Sequence, residues 1–294
     1  MLKRKTIQLS LSVVIAVTMC TSCEKLIPVG PGGGSGDPGS PPAGASGAQL
    51  TTITGASGDL TKITYDARKN PLVISTYMDG GELLTKDSCV YDAGGKLREL
   101  RGYGQDFMTG KFTLISTDTF EWSSKGNISR AVSRSSSNGA QLSSTDYTYD
   151  DRNRLIRIAQ LFKIAGQPES SVVALSYGND KNVKQVILTI AGKVQSKTVV
   201  SGYDGHGSFY THKLFPYLLD FIQEEEFSEQ NAVDKRQVSY INLGSKTDSI
   251  ITLTKNSYQY NTLKLPVKQV SSISISQNGR PQNTTVSTSF SYGK

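Results

Sequence analysis

Along most of the chain, apolar and polar positions alternate with a period of two. In "VSTSFSY", residues 286–292, Val286, Thr288, Phe290 and Tyr292 face one way, and Ser287, Ser289 and Ser291 the other. Such a strand has one face for a core and one for water. Runs of this kind predict strands near 59–65, 72–78, 84–91, 96–103, 111–122, 127–135, 141–149 and 154–163. Further strands are predicted near 171–177, 183–190, 194–203, 236–243, 249–260, 266–276 and 284–292, with residues 50–54 as a candidate sixteenth.

One phrase punctuates these strands. An aromatic closes a strand, polar residues make a turn, and an apolar residue opens the next strand. It runs from Tyr65 to Leu72, Tyr91 to Leu97, Trp122 to Ile128, Tyr149 to Leu155, Tyr177 to Val183, Tyr203 to Phe209 and Tyr260 to Val267, and Tyr292 begins an eighth unit. The spacing is six residues except in the first and last complete units, where Pro71 or Pro266 precedes the apolar residue and the spacing is seven. The aromatics recur every 26–32 residues, apart from a double interval between Tyr203 and Tyr260.

Each unit reads as a hairpin. Asp66, Asp92, Asp150 and Asp204 sit where a carboxylate accepts the backbone N–H two residues on. Asn70, Gly95, Gly126, Asn153, Asn182 and Gly207 supply residues that tolerate positive φ. The aromatic and the apolar residue then meet across the strand pair. A regular repeat of this kind predicts an antiparallel meander. An even strand count lets the first and last strands pair. The expected fold is all-β, an up-and-down meander of about 14–16 strands over residues 50–294, closing into a soluble barrel or a strongly curled sheet.

The exception is "KLFPYLLDFIQEEEFSEQ", residues 213–230. Pro216 suits a first helical turn, and Leu214, Leu218, Phe221 and Ile222 follow at helical spacing. The predicted helix falls on the rim of the short turns, where its apolar side can plug the barrel mouth. Glu224, Glu225 and Glu226 near its end oppose the helix dipole and are read as solvated.

Residues 1–49 lie outside this pattern. Lys3, Arg4 and Lys5 precede an apolar run from Ile7 to Met19, too short for a membrane span and suited to a secretory signal over residues 1–22. Small Thr21 and Ser22 stand before Cys23, in a stretch that resembles the lipobox of bacterial lipoproteins, although Cys20 occupies the usual leucine position. The resemblance implies acylation of Cys23 and a lipid anchor in the outer membrane, with either the periplasmic face or the cell surface as the address. Gly and Pro fill more than half of residues 28–49, so residues 23–49 form an anchor and tether.

"YDAGGKL", "YDDRNRL" and "YDARKNPL" resemble the YD repeats of Rhs-type shells. Together with the lipobox and tether, they resemble a family of Bacteroides-type lipoproteins assigned a porin-like β-barrel. That family implies an architecture and lends no biochemical activity. Trp122-Ser123 and Tyr177-Gly178 depart from the repeat by lacking the Asp.

Charge changes the picture little. The net charge is +7, and removing Lys3, Arg4 and Lys5 leaves +4 (7 − 3), too mild to argue for nucleic acid. Charges on both sides of "KLRELRGY", Lys96 and Arg98 against Glu99 and Arg101, argue against a lipid-facing strand. So do Arg154 and Arg157, also read as lying on opposite faces. With Cys23 acylated, Cys89 reads as a buried strand residue. His206 and His212 match no common zinc spacing, and no cofactor is expected. Fourteen Tyr on a large β scaffold suit non-catalytic recognition of a glycan or a protein. A structural partner of an outer-membrane complex and a hydrolase with its site at the barrel mouth are the competing readings.

Overall fold

A computed structural model describes residues 48–105, 111–164, 166–208, 214–218, 227–243, 246–277 and 279–293. Sixteen strands follow in order: β1 (Gln49–Thr54), β2 (Leu60–Tyr65), β3 (Pro71–Tyr77), β4 (Leu83–Tyr91), β5 (Leu97–Gln105), β6 (Phe112–Trp122), β7 (Ile128–Ser135) and β8 (Gln141–Tyr149). Then come β9 (Leu155–Ile164), β10 (Gln167–Tyr177), β11 (Val183–Ile190), β12 (Lys193–Gly207), a helical turn α1 (Phe215–Leu218), β13 (Gln230–Leu243), β14 (Lys246–Tyr260), β15 (Pro266–Gln277) and β16 (Arg280–Gly293). Every strand pairs antiparallel with its sequence neighbours. β1 pairs with β16, through Leu50 opposite Tyr292 and Ile53 opposite Phe290, and closes the barrel. The alternating pattern thus places all sixteen strands, most within a few residues of their bounds.

The register separates two faces. Ile63 lies opposite Ile74, Cys89 opposite Leu100, Phe120 opposite Ala131, Tyr147 opposite Ile158 and Leu175 opposite Val186. These positions share the inner face, where they form an apolar girdle at the end that carries the YD turns. Further along the same face the lining turns polar, with Asp87 opposite Gly102, Asp118 opposite Ser133 and Thr145 opposite Gln160. The outer face exposes Lys62, Arg130, Arg157, Lys197, Arg236 and Lys255. At a bilayer midplane each such cation would cost about 2–4 kcal/mol. Among the described residues no helix is long and apolar enough to cross a membrane.

The short turns share one geometry. Asp66 N–H donates to the Asn70 carbonyl at 2.9 Å and Lys69 N–H to the Asp66 carbonyl at 3.0 Å, while Asp66 Oδ1 accepts the N–H groups of Arg68 and Asn70 at 2.8 Å each. Backbone pairs of the same offsets close the turns at Asp92, Ser123, Asp150 and Asn261. The fourth residue of each has positive φ: Lys69 at 66°, Gly95 at 80°, Gly126 at 81°, Asn153 at 66° and Lys264 at 58°. This is a three-residue hairpin loop whose left-handed residue makes a bulge, which accounts for the register shift beside each closing aromatic.

This geometry corrects several expectations. Asn70, Asn182 and Gly207 take no positive φ, because the offset selects the residue before Asn70, and the other two units do not build this turn. The cross-strand partners of Tyr65 and Tyr260 are Pro71 and Pro266, not Leu72 and Val267. The six-residue spacing therefore has no exception in these units. Both prolines are fully buried, whereas Leu72 points outward at 40% exposure. Proline fits there as the first residue of its strand.

Tyr203 pairs with Ala232, so the Tyr203-to-Phe209 hairpin is not formed; Phe209 itself lies outside the described residues. The interval from Tyr203 to Tyr260 is a single unit enlarged by the insertion and by long strands. The predicted helix over 213–230 is described only at Phe215–Leu218, with Phe221, Ile222 and Glu224 to Glu226 outside the described residues. By Gln230 the chain is already strand, because Asn231 and Ala232 are buried against β12. Arg98 and Glu99 do not split between faces either. The bulge after Tyr91 brings Arg98 out beside Glu99, which pairs with Arg98 at 2.7 Å and Arg101 at 2.8 Å.

Candidate functional site

The closing aromatics form a hydrogen-bonded belt. All but Tyr260, which donates to Asp204, donate to the carbonyl of the residue that partners the preceding aromatic, one hairpin back. Tyr91 Oη reaches the Pro71 carbonyl at 2.6 Å, Trp122 Nε1 that of Leu97 at 2.8 Å, Tyr149 that of Ile128 at 2.8 Å and Tyr177 that of Leu155 at 2.9 Å. Tyr203 donates to Val183, Tyr292 to Pro266 at 2.8 Å, and Tyr65 to Leu50 at 2.5 Å. Burial pushes the phenols of Tyr65, Tyr91, Tyr149, Tyr177 and Tyr292 above their ordinary range, which keeps them protonated donors.

The insertion closes the belt from inside. Leu214, Phe215 and Leu218 are buried and pack in one cluster with Leu50, Ile63, Leu97, Ile128 and Phe290. The described part of the connection is therefore a plug at the YD rim. Beside it lies a cleft of about 240 Å³, between the turns after β6, β8 and β10 and the connection itself. Trp122, Tyr149, Tyr177, Tyr217 and Phe227 bring rings to it, and Asn127, Asn153, Arg154, Lys181 and Glu229 bring polar groups.

Several contacts fix this wall. The Tyr217 hydroxyl shares a hydrogen bond with that of Tyr149 at 2.6 Å, and its ring meets Tyr147 edge-on at 5.1 Å. Arg154 joins two turns. It bonds Asp150 at 2.8 Å and the carbonyls of Gly178 and Asp180 at 3.2 and 3.1 Å, with its guanidinium over the Tyr177 ring at 4.6 Å. Asn127 and Asn153 pair through their amides, and Lys181 reaches Glu229 at 2.6 Å.

Of the predicted repeat positions, Trp122, Tyr149 and Tyr177 converge on this cleft, whereas Tyr65, Tyr91 and Tyr292 sit elsewhere on the belt. Asp66, Asp92 and Asp150 are held in their turns. Asp204 is different. Its Oδ1 accepts the His206 N–H at 2.9 Å, while Oδ2 accepts Asn231 Nδ2 at 3.1 Å and the Tyr260 hydroxyl. Burial raises this carboxyl above its ordinary range. Tyr217 and Phe227 were not singled out from the sequence; the aromatic Tyr217 inside an otherwise aliphatic "LFPYLL" was the one available signal.

Cys89 is buried, and burial pushes its thiol up to about 12. Cys23 and His212 lie outside the described residues. Among the described residues no cluster of His, Cys, Asp and Glu is arranged to hold a metal ion.

No family model matches the chain, and no curated protein matches it. Among solved structures it is similar to a porin-like protein from Bacteroides uniformis, with 12% identity over 83% of this chain and 98% of that one, at a TM-score of 0.41. It is also similar to a porin-like protein from Bacteroides vulgatus, with 14% identity over the same shares and a TM-score of 0.38. A third similarity, to the TcdB2–TccC3–Cdc42 structure, has 11% identity over 80% of this chain and 14% of that one, at a TM-score of 0.30.

Proposed function

We propose that this chain is an envelope lipoprotein, anchored through an acylated Cys23, whose rim cleft binds a saccharide without chemically changing it. The observation that carries the reading is the gathering of Trp122, Tyr149, Tyr177, Tyr217 and Phe227 with the amides of Asn127 and Asn153 in one cleft. A sugar ring offers apolar C–H faces and a rim of hydroxyls, which aromatic rings and amide groups complement. The volume lies below the roughly 300–1,000 Å³ of sites for drug-sized ligands, which suits a terminal sugar.

The start of the barrel lies at the same rim as the cleft. Gln49 lies opposite Gly293, beside Tyr292, so β1 begins at the rim that carries the cleft. Hydrolysis by a carboxylate pair would need two acidic groups facing one bond. Among the described lining residues the one carboxylate is Glu229, already paired with Lys181.

A glycan array probed with the native protein and with Tyr217→Ala tests the site. Specific signals that disappear in the variant support it; signals unchanged in the variant, or none with native protein, overturn it. For the anchor, Cys23→Ala is expected to leave the membrane fraction, and retention there would contradict acylation.

A further inference from the structure

Away from the YD turns, part of the outer face is apolar. Arg157, Ala159 and Leu161 alternate along that face of β9, and the register carries it onto the neighbouring strands. Leu161 lies opposite Ser144, and Ser144 opposite Val132. Ala159 lies opposite Val172, Val172 opposite Thr189 and Thr189 opposite Val194. Leu161 is 58% exposed and Val194 45%. Leu142 is exposed as well, next to Gln141, the partner of Arg134. Further round, exposed Leu114 lies opposite Tyr103 and exposed Phe112 opposite Gln105. The water side of a sheet ordinarily carries polar residues, and apolar side chains gathered there over neighbouring strands mark an interaction surface.

Charge says what covers it. Arg134, Lys163 and Lys197 are exposed along the patch, and Lys193 is exposed at the tip of the β11–β12 hairpin beside Val194. Lys197 lies opposite Ile187, and Lys163 follows Leu161 on its face. Among the described residues, the acidic side chains on the outer face of β6 to β12 are Glu121 and Asp146. Both lie opposite Arg130, with Asp146 at 3.8 Å from it. The patch is thus apolar with a cationic border. A second copy meeting it face to face would oppose like charges. Its apolar side chains also stand on separate strands of a convex barrel wall. The headgroup–acyl boundary of a bilayer takes up such side chains without a fitted pocket, while anionic headgroups attract the cations.

We propose that this face of the barrel docks on an anionic phospholipid surface, with Leu142, Leu161 and Val194 entering the headgroup–acyl boundary and Arg134, Lys163, Lys193 and Lys197 meeting lipid phosphates. The contact is peripheral. Arg157 and Lys197 on the same face bar deep insertion, and the long stems of the cations let their charged ends stay at the headgroups. The contact goes beyond the function proposed above and needs neither an acylated Cys23 nor a bound saccharide. It leaves Trp122, at the YD rim, out of the lipid.

Quenching of tryptophan by brominated lipid tests this, with the full chain on vesicles of brominated phosphatidylcholine and phosphatidylglycerol. Native protein reports through Trp122, its single tryptophan, whose emission is expected to stay unquenched. Leu161→Trp adds an indole to the patch, and its emission is expected to shift to shorter wavelength and to be quenched. Leu72→Trp adds an outward indole on β3 at the YD rim, and no added quenching is expected there. Reversing two cations, in Lys163→Glu with Lys197→Glu, is expected to abolish the quenching of the Leu161→Trp indole. Val194→Trp repeats the test if Leu161→Trp fails to fold. Because indoles on one vesicle-bound protein are compared, attachment through residues 1–22 alone does not produce this pattern. An unquenched patch indole, equal quenching in Leu161→Trp and Leu72→Trp, or quenching unmoved by the charge reversal overturns the proposal. Loss of glycan-array signals with this pattern intact would overturn only the saccharide reading.

Discussion

The Tyr91 hydroxyl donates to the Pro71 carbonyl at 2.6 Å, and Pro71 is itself the cross-strand partner of Tyr65. The bond ties each hairpin to the one before it. Repeated around the barrel, with one interruption where Tyr260 bonds Asp204 instead, it returns to its origin where Tyr65 bonds Leu50, the partner of Tyr292. An isolated hairpin is marginal in water, and the belt joins the hairpins into one cooperative ring.

Tyr91→Phe keeps the ring and removes the bond, leaving the carbonyl of buried Pro71 without this donor. Stability is expected to fall by about 1–3 kcal/mol, read from the urea midpoint at unchanged slope. An unchanged midpoint would mean that the belt contributes nothing.

Lys69 and Lys264 hold positive φ without being glycine. A left-handed conformation costs an ordinary residue roughly 1–2 kcal/mol, partly offset by the greater freedom of glycine in the unfolded chain. Lys69→Gly and Lys264→Gly are therefore expected to raise the thermal midpoint, and Gly95→Ala to lower it. The opposite order would place the strain elsewhere.

Acid should loosen the turns. The Arg154 N–H and side chain hold Asp150 below its ordinary range. For Asp66 burial pushes upward, but the N–H and amide of Asn70 and the N–H of Arg68 outweigh it. A carboxyl depressed by folding contributes stability that is complete above its unfolded value of about 3.9 and is lost as pH falls through the folded value. Urea midpoints should drop below about pH 4, less so in Asp66→Asn. Asp204, raised by burial, contributes with the opposite sign over the window above about 3.9.

Cys89 should behave as a core residue. With its thiol buried and pushed up to about 12, labelling by a thiol reagent at neutral pH is expected only as fast as the barrel opens. Prompt labelling of the folded protein would contradict the register that places Cys89 opposite Leu100 inside the barrel.

What was legible in the sequence was local. Alternation along residues 286–292 and the recurring aromatic gave the strands and their reversals, because period-two patterning and turn chemistry act over a few residues. The belt was not legible: Tyr91 and Pro71 stand 20 residues apart, and nothing near Tyr91 names its acceptor. The positive-φ site was misplaced from Lys69 to Asn70, since residue preference favours Asn whereas hairpin geometry fixes the offset. The cleft was missed because Tyr217 reaches Tyr149 only after the connection folds back into the barrel.

The measurement that tests the central claim most directly is a saccharide titration followed by Trp122 fluorescence, comparing native protein with Tyr217→Ala. Saturable change in the native protein, absent from a variant that retains its barrel circular dichroism, is the predicted result. A folded native protein whose Trp122 emission does not respond to any glycan selected by the array would contradict saccharide binding at this cleft.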